Sequence, residues 1–132
     1  MRTVLAFVAT AALIPATARA HHSSAQFDLD RTVAVEGTIQ TILYANPHAV
    51  LTIQAKDGAV YTATWRAALQ LDRQGVKDAH LKVGDAVVIT GNPARDSSLH
   101  ELSRLSEVRR LSDGWAWRLD NGVATTGRTS LK

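Results

Sequence analysis

Apolar residues recur at every second position in two stretches that meet at a proline. Val33, Val35 and Ile39 share one face of residues 32–44, and Ala49, Leu51, Ile53 and Ala55 share one face of residues 48–55. This alternation is that of half-buried β-strands. In the first stretch the phase slips after Gly37, because Ile42 and Tyr44 fall opposite Val33 and Ile39, which predicts a bulge in a strongly bent strand. Asn46-Pro47 breaks the pattern between the stretches: proline lacks a ladder donor and biases Asn46 toward extended backbone, so the chain turns a corner there. Asp57-Gly58 supplies a hairpin turn into a third strand over residues 59–65, where Tyr61, Ala63 and Trp65 alternate with Val60, Thr62 and Thr64.

Residues 66–74 change character, with helix formers from Ala67 to Leu71 and Gly75 placed to end a short helix. A turn at residues 81–85 leads into a buried strand over residues 86–91, ended by Asn92-Pro93. In residues 100–111, Leu102, Leu105, Val108 and Leu111 recur every third position, a spacing that fits neither strand nor ideal helix. A strand is the reading adopted, since the preceding strands otherwise leave an open sheet edge. Asp113-Gly114 turns into a short strand at residues 115–117, and the apolar-poor residues 120–132 read as a loose tail.

Three strands, a short helix and two more strands is the order of an OB-type barrel. The expected fold is therefore all-β, an OB-like barrel of five to six strands over residues 32–119 with one helix between strands 3 and 4. Its core is expected around Val35, Ile39, Leu51, Ile53, Val87 and Ile89. An open β-sandwich with an incidental helix is the competing arrangement.

Composition changes the picture chiefly at the N-terminus. Arg2, an apolar run over residues 4–14, Pro15 and Ala18-Arg19-Ala20 have the form of a secretory signal peptide spanning residues 1–20. The apolar run is short for a membrane-spanning helix, so no stable membrane insertion is expected after cleavage. The expected location is periplasmic or secreted, with residues 21–31 as an extended lead-in. The signal segment carries two of the fifteen Lys and Arg residues and none of the twelve Asp and Glu, leaving the mature chain at +1. Such a balance gives little support to nucleic-acid binding. The absence of cysteine excludes thiolate metal sites and cysteine nucleophiles.

The chemistry left is that of histidine. Cleavage after Ala20 makes His21 the N-terminal residue, able to offer its α-amine and ring nitrogen to one ion, with His22 beside it. An imidazole from His48, at the Asn46-Pro47 corner, completes a three-nitrogen arrangement that suits Cu(II). His21, His22 and His48 are the candidate metal ligands and copper the candidate cofactor. The simpler reading makes His21-His22 a polar start and His48 a turn cap. His80 and His100 read as surface residues. Asn46, Tyr61 and Trp65 are candidate ligand contacts, although Tyr61 and Trp65 equally fill a small barrel. Ser23 and Ser24 beside His22 lack the orienting third group of a nucleophilic site, and the carboxylates are dispersed, so no catalytic set is assigned.

His21-His22-Ser23, Phe27-Asp28, Gly37-Thr38-Ile39, Asn46-Pro47-His48 and Leu81-Lys82-Val83-Gly84-Asp85 occur in an order that resembles a family of small exported bacterial proteins catalogued as domain of unknown function 6152. Ala25 and Ala49 stand where that family often has an aromatic residue, which argues against stacking at the corner. The resemblance implies a small secreted β-barrel and supplies no activity. The functional expectation is an exported binding module, with copper as its leading ligand. The alternative is a metal-free module for a small periplasmic ligand or a protein partner.

Overall fold

The computed structural model describes residues 24–128. Its strands are β1 (Val33–Leu43), β2 (Val50–Ala55), β3 (Val60–Thr64), β4 (Ala86–Pro93), β5 (Glu101–Arg110), β6 (Trp115–Asp120) and β7 (Val123–Arg128), with helix α1 (Ala68–Arg73) between β3 and β4. They hydrogen-bond in the order β3-β2-β1-β4-β5-β6-β7, and a parallel pairing of β3 with β5 closes the first five into a barrel. The fold is thus the expected OB-like barrel, with two additional strands continuing from β5.

The bend of β1 has two local causes. The close approach of β2 requires Gly37, because a β-carbon there would collide with the Gln54 carbonyl. The register then slips between Ile39 and Thr41, which face the adjacent residues Ile53 and Thr52. The phase change read from Ile42 and Tyr44 is this bulge.

The every-third spacing in β5 also has a local origin. Asn92 faces Ser103 whereas Thr90 faces Glu107, so the β5 side holds extra residues opposite Gly91. Arg104 lies at the bulge with φ of 45°, a left-handed conformation. Each added residue reverses the side-chain phase, and Leu102, Leu105 and Val108 all turn inward.

Ile39, Leu51, Ile53, Val87 and Ile89 are buried as expected, while Val35 packs at the margin. The centre also holds Trp65 and Trp117 in an edge-to-face pair with ring centroids 5.2 Å apart. Trp117 is fully buried and its indole N–H donates to Gln74 Oε1 at 3.0 Å.

Two expectations are corrected. The segment read as a loose tail forms the end of β6 and all of β7, turning at Asn121-Gly122, where both residues have positive φ. Thr126 Oγ1 donates to the Gln74 carbonyl at 2.7 Å, which ties β7 to the residue after α1. The lead-in is only partly extended: residues Ser24–Gln26 form a 3-10 turn, and Phe27 then bridges Ala94 and is buried.

Candidate functional site

The corner after β1 is fastened on both sides of His48. Asn46 Oδ1 accepts from the Leu69 amide at 3.2 Å, and the Ala45 carbonyl accepts from the Ala68 amide at 3.0 Å. Asn46 therefore helps to hold the first turn of α1, whose exposed amides lack intrahelical partners. Beyond His48, the Ala49 amide donates to the Arg66 carbonyl at 2.9 Å and its carbonyl accepts from the Trp65 amide at 2.8 Å. Tyr44 braces the same corner from below, donating its hydroxyl to the Val76 carbonyl at 2.8 Å. Burial, helped by the nearby Asp72 carboxylate, pushes its phenol up to about 12. Pro47 follows a cis peptide bond, and His48 itself is exposed.

His48 stands at the rim of a cleft of about 350 Å³. Thr64, Trp65 and Arg66 at the end of β3 form one wall, Ser103, Arg104 and Leu105 at the β5 bulge another, with Gln70 of α1 and Leu119 of β6 completing it. Trp65 and Leu105 are buried at the apolar side, whereas Gln70 and Arg104 are exposed. Trp65 also keeps a buried indole N–H without an acceptor among the described residues. No carboxylate lines this cleft. A second groove of about 380 Å³ runs beside Gly37, but its cation Lys56 is paired with Glu36 at 2.7 Å. Size does not separate the two. The convergence of polar groups on an apolar wall does, and it favours the cleft beside His48.

The sequence-derived candidates separate in space. His21 and His22 lie outside the described residues. Among the described residues, no three His, Asp or Glu side chains gather closely enough to hold a metal ion. Of the candidate ligand contacts, Asn46 is engaged with α1, and Tyr61 packs against His100 with ring centroids 5.0 Å apart. Of these three candidates, Trp65 is both part of the core and part of the cleft wall.

His80 and His100 are half-buried rather than surface residues. His80 Nδ1 accepts from the Lys77 amide at 2.9 Å, and its ring lies 5.0 Å from that of Trp115. His100 has φ of 48° and a buried Nδ1 with no partner among the described residues. Its neighbour Glu101 accepts from Gln26 Nε2 at 2.6 Å, so the lead-in is anchored beside His100. Sequence reasoning passed over Arg66, Gln70 and Arg104. The only trace of Arg104's role was the broken periodicity around it.

Among the described residues, no helix is long and apolar enough to cross a membrane. No curated protein and no solved structure matches the chain. The model of a family of unknown function, DUF6152, matches residues 8–103, and the chain belongs to that family.

Proposed function

We propose that this protein is an exported binding module whose ligand sits in the cleft beside His48. One observation carries the reading: groups from β3, α1, β5, β6 and the corner converge on a partly apolar hollow of about 350 Å³. That volume is at the small end for ligand sites, so the occupant is a small molecule or the tip of a larger one. Walls built on hydrogen-bonded strands and a helix favour binding because little backbone has to be ordered when the ligand arrives. The test is an NMR screen of the mature chain with small polar and apolar compounds. Binding should shift the amides of Thr64, Trp65, Arg66 and Leu105 together. Ligands that perturb only the groove at Gly37 would move the site elsewhere.

Copper bound through the mature N-terminus is the second reading. It is favoured by an exposed His48 that makes no hydrogen bond among the described residues and lies between two fastened segments. His21 precedes Ser24 by three residues, a reach of roughly 10 Å in extended chain. Because the lead-in is anchored beside Glu101, the His100 ring competes with His48 to be the second imidazole. Cu(II) titration of the mature chain tests this. One residue added before His21 should weaken binding sharply, since the α-amine is displaced while every imidazole survives. His48→Ala and His100→Ala then identify the second ring. Unchanged affinity in the extended chain removes the reading.

A further inference from the structure

We propose that the cleft takes a small organic anion, with an apolar body against Trp65 and Leu105 and a carboxylate or phosphate head between Arg66 and Arg104. This deepens the cleft reading above and rests on it. The two arginines come from separate elements, Arg66 just after β3 and Arg104 from the bulge of β5, yet both line the same hollow. Neither forms an ion pair among the described residues, although Arg109, Arg110, Arg118 and Arg128 all do. Guanidinium forks match carboxylate and phosphate oxygens in plane, two N–H groups to two oxygens. Two arginines lining one hollow that holds no carboxylate make an anion the favoured occupant.

The backbone is committed to this arrangement. Arg104 adopts a left-handed conformation, which a residue with a β-carbon occupies only under strain. Opposite it, Gly91 is buried, and a β-carbon there would lie 2.7 Å from the Ser103 carbonyl oxygen and 2.8 Å from Leu105 Cδ2. A regular strand would have placed residue 104 on the inward side after Leu102. The bulge instead sends Leu105 inward and leaves Arg104 exposed at the cleft. Non-glycine residues held at positive φ cluster at ligand clamps and active sites, and this one stands on the cleft wall. Arg66 is also fixed, its guanidinium carbon standing 5.9 Å from the centre of the Trp117 ring.

Calorimetric titration of the mature chain with benzoate and hexanoate, each compared with its neutral amide, tests the assignment. The acids should bind at least tenfold more tightly than the amides, and their advantage should shrink as salt is added. Arg104→Gln and Arg66→Gln should each weaken acid binding at least tenfold and leave the amides unaffected. Lys82→Gln, an exposed cation outside the cleft lining, should change nothing. Acid and amide binding equally well in the cleft would overturn the anion assignment and leave the cleft reading standing. Failure of both acids and both amides to shift Thr64, Trp65, Arg66 or Leu105 would remove both. A melting temperature retained in Arg104→Gln separates lost binding from lost folding.

Discussion

Arg104 and Arg110 lie on the same strand in opposite electrostatic settings. Arg110 donates to both oxygens of Asp113 at 2.9 Å, stands 3.6 Å from Asp85, and also donates to the His80 carbonyl. Its guanidinium lies over Trp115, and the Asp113 carboxyl is held well below the usual carboxylate range by the hydrogen bonds from Arg110 and the Trp115 amide. Arg104 has none of this: it is exposed, lines a hollow without carboxylates, and sits on strained backbone. A cation whose counter-charge is built into the chain holds the barrel together. A cation without one is available to something outside the chain.

The largest expected effect strikes the core that both regions share. Ile53→Ala should lower stability by about 2–5 kcal/mol in urea unfolding, as a cavity in the fully buried centre. If the contrast is electrostatic on one common scaffold, amides near Arg104 and near Arg110 should lose structure in a single transition. Two separate transitions would show that the regions fold independently.

Arg110→Gln should come next, lowering the urea midpoint and altering the acid limb. The Asp113 carboxyl is depressed in the folded protein, so its contribution is present above the unfolded value near 4. That contribution is lost as pH falls below this value toward the folded one. The wild type should therefore lose stability more steeply than Arg110→Gln on acidification below pH 4. Parallel acid limbs in the two proteins would show that the pair contributes nothing.

Tyr44→Phe should cost about 0.5–1.5 kcal/mol, the usual net worth of one hydrogen bond. It also tests the opposite limb. The raised phenol contributes stability that is complete below about pH 10 and lost as pH climbs toward 12, so wild type and variant should converge there. Persistence of the gap above pH 12 would detach Tyr44 from the corner.

The smallest effect has the opposite sign. Arg104→Gly should raise stability by about 0.5–1 kcal/mol, because glycine accepts a positive φ freely, while anion binding is lost. A variant that became less stable would place Arg104 in the same structural category as Arg110.

These contrasts were unevenly legible in the sequence. The barrel could be read because β1, β2 and β3 each bury alternate residues, and glycine or proline marks their turns. Strand β7 could not, since Val123 is exposed and only Ala124 and Thr126 of its residues are half-buried; an edge strand of this kind shows little apolar alternation. Trp65, read as a filler or a contact, is a core residue that also lines the cleft, and Asn46 accepts from the first turn of α1. The positions of Arg104 and His100 depend on positive φ at non-glycine residues, which composition does not announce. The threefold spacing of Leu102, Leu105 and Val108 was the audible part of that irregularity.

The seam between β3 and β5 carries a last consequence, for the time course of folding. It joins Thr62 to Glu101 and Ala63 to Leu102, so no barrel exists until almost all of the chain to β5 is available. Trp117 lies further along still, on β6, and reaches Trp65 only after the seam can form. Local pairing of β1, β2 and β3 is therefore expected to precede the distant pairings of β4 and β5 that close the ring. The same long span makes the connection forgiving. Because loop closure depends on the logarithm of length, even doubling the stretch between the two seam strands adds only about 0.6 kcal/mol. The turn at Val83-Gly84, exposed and away from the cleft, is where such an insertion would be absorbed.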